Sequence, residues 1–240
     1  MLLQIRHVDR FVPRAEEAWP IPRTRWTRFY LDAAAGTLAP QPAARAGAVE
    51  FDALGDGVTL STPPLAEDTE VTGPAAAKLF VSSSTTDADL FAVLRAFDPG
   101  GREVDFQGAL DPHTPIGQGW LRASHRRRDP QLSTEWRPYH SHDQAEPLAP
   151  DVVYELDVEI WPTSIVVPAG YRIALTVLGR DLERPGAGLQ MKTFANQMRG
   201  SGPFLHNDPE DRPAAVLGGR TTIHTGGAHP SYLLLPVIPG

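Results

Sequence analysis

The 240-residue chain contains no cysteine, which excludes disulfide bonds and thiolate zinc sites. Lysine is scarce, with two residues against 20 arginines, and the formal net charge is −7. A general surface for nucleic acid or anionic membranes is therefore not expected. No run of 18 apolar residues occurs, and early charges interrupt the stretch that a signal peptide would need. We expect a cytoplasmic protein with no nucleic-acid partner and no membrane span.

Proline and glycine are plentiful, with 24 and 21 residues spread along the chain. Such spacing is typical of many short strands joined by turns rather than of long helices. Only residues 189–199 have a weak helical pattern. Because strand signals occur without alternating helices, we predict an all-β protein, a jelly-roll β-sandwich. No internal repeat or break in composition divides it, so a single domain over residues 1–240 is expected.

The clearest strand signal lies at residues 152–160, where apolar and acidic side chains alternate. The apolar face consists of Tyr154, Leu156, Val158 and Ile160, and the acidic face consists of Glu155, Asp157 and Glu159. A second alternating run covers 171–180, after turn signals at 161–164 and 167–170. We expect these two strands to be neighbours. The acidic row is the solvated face of a strand rather than a pair of glycosidase carboxylates.

Several further segments have simple patterns. Residues 89–97 are nearly all apolar, as expected of a strand buried on both faces. The turn at 98–101 then predicts a hairpin with 102–106 as the partner strand. A short strand is expected at 77–83, whereas the Ala/Gly/Pro-rich stretch 32–57 has the composition of a loop.

The N-terminal residues 1–30 are expected to form an extended segment that packs on the domain or on a partner. Pro20 and Pro22 forbid a helix there and favour an edge or surface segment. We predict an exposed apolar patch around Trp19–Tyr30, which would favour association, including a homodimer.

Half of the eight histidines lie within or near the stretch Gly117–Asp129, which also holds a run of three arginines. These histidines are His113, His125, His140 and His142. Ser124 adjoins His125, but neighbouring residues of a strand point to opposite faces. The chain has no Gly-x-Ser-x-Gly elbow, phosphate loop or dinucleotide fingerprint. We therefore assign no catalytic residue and no cofactor, and we leave the binding residues unassigned.

The candidate metal ligands are His140 and His142, with Glu146 four residues after His142. This spacing resembles part of the first motif of cupins, which are metal-binding β-barrels. The second motif fails, because Ile173 stands where a cupin has histidine. Prolines on both sides make the segment a loop, so we expect exposed loop histidines and no metal site.

Five segments in order carry a resemblance to a known module: residues 19–31, 117–126, 158–164, 168–173 and 222–236. The second reads Gly-x-Gly-Trp-Leu-Arg-Ala-Ser-His-Arg. Together they resemble the C-terminal, non-catalytic domain of the X-Pro dipeptidyl-peptidase and CocE/NonD hydrolase family. The resemblance implies a galactose-binding-domain-like jelly roll that packs on an α/β-hydrolase domain and helps wall its substrate pocket. The Ser-Asp-His triad belongs to that other domain, and none of it maps onto this sequence.

The preferred hypothesis is a non-catalytic β-sandwich of a serine hydrolase that acts on peptides, esters or amides. Whether the chain is itself an enzyme stays open. One alternative is a carbohydrate- or ligand-binding module, which burial of Trp120 and Trp161 would count against. The other is the cupin-like metal site. Trp120 is expected to pack inward, with Arg122 and His125 hydrogen-bonded within the corner.

Overall fold

The computed structural model describes residues 1–106, 115–183 and 205–240. Nearly all regular structure in these ranges is strand. The strands are β1 (Leu2–Arg6), β2 (Phe11–Ala15), β3 (Arg25–Asp32), β4 (Thr37–Ala39), β5 (Gly47–Asp52), β6 (Val58–Ser61), β7 (Thr69–Ser83), β8 (Asp89–Phe97), β9 (Gly117–Arg122), β10 (Tyr154–Val167), β11 (Arg172–Leu178), β12 (Arg220–Thr225) and β13 (Tyr232–Ile238). One 3₁₀ turn (Ala123–His125) and one α-helical turn, α1 (Ala214–Leu217), complete the described elements.

The all-β prediction is confirmed. Within the described ranges, no helix is long and apolar enough to cross a membrane. The segment 189–199, for which a helical pattern was noted, and His113 lie outside the described residues.

The strands form one curled sheet in the order β2-β1-β10-β7-β13-β3-β4-β6-β11-β8-β9, with β12 paired to both β5 and β7. Most pairs are antiparallel, and β1–β10 and β4–β6 are parallel. The 15-residue β7 joins β10, β12 and β13. The main apolar core lies inside the curl and includes fully buried side chains of β7, β8, β10 and β11.

The curl closes where β9, at one end of the sheet, packs against β10 near the other end. A Cβ atom on Gly119 would overlap the carbonyl oxygen of Glu159, and one on Gly117 would lie 3.1 Å from the carbonyl oxygen of Trp161. The two glycines are therefore required for backbone-to-backbone approach. This contact explains the Gly-x-Gly pair that opens the stretch singled out in the sequence.

The N-terminal strands β1 and β2 form an antiparallel hairpin at the edge of the sheet. Glu16 anchors it, because this buried carboxylate accepts hydrogen bonds from Arg14 (2.6 Å) and Arg23 (2.7 Å). Arg14 also bonds Glu70 of β7. Hydrogen bonds from Arg23, and secondly from Arg14, lower the pKa of Glu16 to about 2. The assignment of residues 1–30 as an extended segment that packs on the domain or on a partner stays a prediction.

Two sequence patterns are reproduced closely. The first seven residues of β8 include six buried ones, so this strand is buried on both faces as predicted. Over Tyr154–Ile160, β10 alternates between the core and the outer face. The turn at 167–170 is also present, with Gly170 at a positive φ of 80°.

Other sequence expectations were wrong. Residues 32–57 are not a loop, because β4 and β5 lie within them. The strand expected at 77–83 begins eight residues earlier, at Thr69. The hairpin expected at 98–106 is present only in part. The turn forms, and 102–106 returns antiparallel through the Phe97–Glu103 bridge and the hydrogen bond from the Val104 N–H to the Ala96 carbonyl, but β9 is the strand that pairs along β8.

The turn expected at 161–164 is a β-bulge instead. β10 continues through it, with a register shift against β7 between Ile160 and Thr163. The bulge leaves Trp161 and Pro162 both exposed. Furthermore, β10 and β11 are not sheet neighbours as expected, because β10 pairs with β1 and β7 whereas β11 pairs with β6 and β8.

Candidate functional site

A cleft of about 280 Å³ lies where β8 begins and β9 ends, beside the 3₁₀ turn. We call it the histidine cleft, because four imidazoles line it. Its lining residues are Asp89, Leu90, Phe91, Trp120, Leu121, Arg122, His125, His140, His142, His206, Asp211 and Arg212. The cleft thus contains part of the stretch Gly117–Asp129 and two of the loop histidines that the sequence placed near it.

The floor of the cleft is aromatic. The Trp120 ring lies 5.2 Å from the Trp161 ring in an edge-on arrangement, and Phe91 and Trp120 each contact His206 at 5.5–5.7 Å. The prediction that Trp120 packs into the core was wrong. In β9, the glycines and Leu121 take the inward positions, so Trp120 is half-buried on the outer face with Phe91.

Asp89 holds the wall of the cleft together. Its buried carboxylate accepts two hydrogen bonds from Arg122 (2.8 and 3.0 Å) and one from Arg212 (2.8 Å). Arg122 also contacts Asp211 at 3.4 Å, and Arg212 donates to two backbone carbonyls. Donation of these hydrogen bonds to Asp89 raises the pKa of Arg122. Hydrogen bonding by Arg122 within this corner was expected, and the carboxylate partners were not.

Asp181 and His206 form a carboxylate–imidazole pair at the same cleft. The Asp181 side chain is 5% exposed and lies 3.1 Å from Nδ1 of His206. It also accepts the backbone N–H of His206 at 2.6 Å. A buried carboxylate on one imidazole nitrogen fixes the orientation of the ring and directs the other nitrogen away from it. No sequence pattern indicated this pair, because the two residues stand 25 positions apart in loops.

Three other histidines lie together. The His142 ring is 5.5 Å from the His125 ring and 6.0 Å from the His140 ring. His142 is exposed, as expected of a loop histidine, whereas His140 is half-buried, and burial lowers its pKa. Nδ1 of His125 is buried without a hydrogen-bond partner, so the expectation that His125 is hydrogen-bonded there is not met at that nitrogen.

The cupin-like ligand set does not assemble. Glu146 pairs with Arg126 at 3.2 Å, and its backbone carbonyl also accepts from Arg126. In the part of the chain that the structure describes, no group of three or more metal-ligating side chains is placed to hold a metal ion.

Serine and histidine do meet, but away from the predicted corner. Ser82 of β7 and His224 of β12 are hydrogen-bonded at 2.9 Å. No acidic side chain contacts the His224 ring among the described residues, so the pair lacks the third member of a catalytic triad. Ser124 is buried, and its N–H donates to Asp87.

The acidic face of β10 is ion-paired rather than catalytic. Lys78 contacts Glu155 and Asp157, and Arg128 contacts Asp157 at 3.0 Å. Burial raises the pKa of Glu159. This agrees with a partly solvated strand face.

Comparison with known proteins decides the family. The model of the X-Pro dipeptidyl-peptidase C-terminal non-catalytic domain matches residues 3–234. The chain belongs to this family. The resemblance drawn from five sequence segments is thereby confirmed over nearly the whole chain.

Relatives of this X-Pro dipeptidyl-peptidase C-terminal domain are longer. A CocE/NonD family hydrolase from Staphylococcus aureus matches in structure with a TM-score of 0.83 and 26% identity, over 99% of this chain and 41% of that one. The cocaine esterase of a Rhodococcus species is 24% identical over 94% of this chain and 40% of its own length. A relative from Mycobacterium tuberculosis whose name includes the words serine esterase is 29% identical over 60% of this chain and 23% of its own. The chain therefore spans less than half of each.

Proposed function

We propose that this domain is the non-catalytic partner of an α/β-hydrolase domain and helps to shape a substrate pocket for hydrolysis of peptides, esters or amides. One observation carries the proposal. The match to the Staphylococcus aureus hydrolase covers 99% of this chain but only 41% of the hydrolase, so most of the hydrolase lies outside the matched part. The absence of a complete Ser-His-acid set among the described residues is consistent with chemistry that resides elsewhere.

Exposed apolar side chains support a packed partner. Trp161, on the β10 bulge, is 59% exposed, and Leu2 and Phe11 of the N-terminal hairpin are 68% and 48% exposed. Exposed side chains of this size on a soluble domain mark interaction surfaces when they cluster. Of the patch expected at Trp19–Tyr30, Trp19 is exposed, whereas Trp26, Phe29 and Tyr30 are half-buried in β3. A homodimer through the Trp19–Tyr30 patch stays a proposal.

A domain exchange tests the partner role. The matched C-terminal part of the Staphylococcus aureus hydrolase is deleted, or is replaced by this domain, and hydrolysis of a 4-nitrophenyl ester is measured. We expect the deletion to abolish turnover and the replacement to restore it. Unchanged turnover after the deletion would contradict the proposal. Trp161→Ser in the exchanged protein tests the bulge, and Val152→Ser, another exposed apolar position, is its matched control.

The purified chain alone should not turn over X-Pro or simple ester substrates. Turnover that a serine-directed phosphonate abolishes would place a nucleophile in this chain and would overturn the non-catalytic assignment.

The incomplete burial of two tryptophans supports the alternative hypothesis, a ligand-binding module. Burial of both Trp120 and Trp161 would have counted against it, but Trp161 is exposed and Trp120 lines the histidine cleft.

A further inference from the structure

The histidine cleft has the size of a site for one ring. Its volume is about 280 Å³, whereas engineered apolar cavities of roughly 150 Å³ bind benzene. Trp120 and Phe91 supply the aromatic surface, and the cleft is open to solvent at His142. A single six-membered ring with one or two substituents therefore fits.

The charges of the cleft cancel. Its lining holds two carboxylates, Asp89 and Asp211, and two guanidinium groups, Arg122 and Arg212. These groups already pair with one another, Asp89 with both arginines and Asp211 with Arg122. A charged ligand would have to break one of these pairs. An uncharged ligand leaves them intact.

His206 supplies a polar atom for a ligand. Asp181 holds Nδ1 of His206, and Nε2 has no hydrogen-bond partner among the described residues. Neutral imidazole then offers Nε2 as an acceptor, beside the ring of Trp120 at 5.7 Å. A sugar needs many polar partners for its hydroxyls, whereas a ring with one donor group needs few.

We propose that the histidine cleft binds a small, uncharged, single-ring aromatic molecule that carries a hydrogen-bond donor, with Trp120 as the ring contact and Asp181-oriented His206 as the acceptor. The binding belongs to this chain alone and does not depend on the proposed hydrolase partner.

The test uses the full chain at pH 8 and phenol as the probe. Binding is followed by the NMR shift of the Trp120 indole N–H and by the ¹⁵N shifts of the His206 ring. We expect saturable shifts at both residues, with a dissociation constant on the order of 1 mM for so small a ligand. Benzoate and glucose, as charged and hydroxyl-rich rings, should give no saturable shift.

The variants separate the two contacts. Trp120→Ala should abolish saturable binding of phenol. His206→Gln should weaken the affinity for phenol about fivefold, as expected for loss of one well-placed hydrogen bond. His229→Gln, a histidine outside the cleft, is the matched control and should leave the affinity unchanged. Asp181→Asn should change the ¹⁵N tautomer pattern of His206 and weaken phenol while the remaining amide spectrum stays dispersed.

Several results would overturn the proposal. These are the lack of any saturable shift with phenol, equal phenol affinity in His206→Gln and the parent chain, and binding of glucose or benzoate at least as tight as that of phenol. If Trp120→Ala does not fold, the conservative Trp120→Phe variant is used. This variant has no indole N–H, so phenol binding is followed by the shifts of His206 alone. A phenol affinity equal to that of the parent chain supports the ring contact.

Discussion

Asp89 is the most strongly bonded carboxylate of the histidine cleft. It is 7% exposed and lies between Arg122 and Arg212. Asp89→Asn removes the charge and leaves Arg212, whose side chain is buried, without its carboxylate, while Arg122 keeps only the exposed Asp211. Because breaking one partner of a buried pair leaves uncompensated charge, we expect the free energy of unfolding to fall by about 3 kcal/mol. Urea denaturation followed by tryptophan fluorescence measures it.

Asp211 provides the matched control for Asp89. It contacts the same Arg122, but at 3.4 Å and with 66% of its side chain exposed. Asp211→Asn should therefore change the free energy of unfolding by no more than about 0.5 kcal/mol. Equal losses for the two variants would show that burial of the Asp89 network contributes nothing special to stability.

Glu159 gives a prediction on pH. Burial raises its pKa in the folded protein above the ordinary value of 4.5. The unfolded chain therefore loses this proton at a lower pH than the folded chain does. The contribution of Glu159 to the free energy of unfolding is fully present below pH 4.5 and is lost as the pH rises through the pKa of the folded state. Glu159→Gln cannot ionise and should be more stable than the parent at pH 7, with the difference vanishing at pH 4.

The comparison for Glu159→Gln is Glu155→Gln on the same strand face. Glu155 is exposed and pairs with Lys78, so its neutralisation removes a favourable contact and should give no gain at pH 7. Denaturant midpoints at pH 4, 5.5 and 7 measure both variants. A parent and a Glu159→Gln variant with parallel pH profiles would contradict the burial argument.

At the residue level, the sequence could foretell only part of the cleft. His125, His140 and His142 lie close in the sequence around one corner of the chain, and their rings do lie within about 6 Å of a neighbour. His206 and Asp181 could not be foreseen, because they reach the cleft through folding of distant loops. A spacing pattern reports local geometry and is silent on such contacts.

The crossing of β9 over β10 depends on Gly119. Its position leaves no room for a Cβ atom against the carbonyl oxygen of Glu159, and a backbone atom cannot move aside as a flexible side chain can. Gly119→Ala should force β9 away from β10 and lower the free energy of unfolding by about 3 kcal/mol. Thermal and urea unfolding measure the loss.

Gly100→Ala is the matched control for Gly119→Ala. Gly100 lies in an exposed turn without a positive φ, and its nearest neighbour is the Asp98 side chain at 3.3 Å. This variant should stay within about 0.5 kcal/mol of the parent. A Gly119→Ala protein as stable as Gly100→Ala would show that the crossing is loose.

Strand patterns were legible where one face is buried and the other solvated, as in β10, or where both faces are buried, as in β8. The loop assignment at 32–57 failed because β4 and β5 are short and keep few buried side chains, so composition outweighed pattern. The supposed turn at 161–164 failed because a bulge uses the same residue types as a turn. The two strands β10 and β11, which were expected to lie near each other, do not pair, because sequence neighbours are not always sheet neighbours.

Over the whole molecule, the order of strands in the sheet departs from their order in the chain. The last strand, β13, pairs with both β7 and β3, and it lies in the middle of the sheet. The first hairpin, β1–β2, ends the sheet and is joined to β10 at a single bridged pair, Arg6 with Ile165. The two ends of the chain should therefore differ in what their removal does.

Deletion of residues 229–240 removes β13 with Leu233 and Leu235, which are fully buried in the main core. It also leaves the facing edges of β3 and β7 without their backbone partner. We expect this protein not to fold, with a collapsed amide spectrum and no cooperative melt. Deletion of residues 2–15 removes the edge hairpin and its exposed Leu2 and Phe11 but only one fully enclosed side chain, Ile5. It should fold cooperatively, with a free energy of unfolding lower by roughly 2–4 kcal/mol. A folded 229–240 deletion or an unfolded 2–15 deletion, seen by circular dichroism and calorimetry, would contradict a single domain built around β7 and β13.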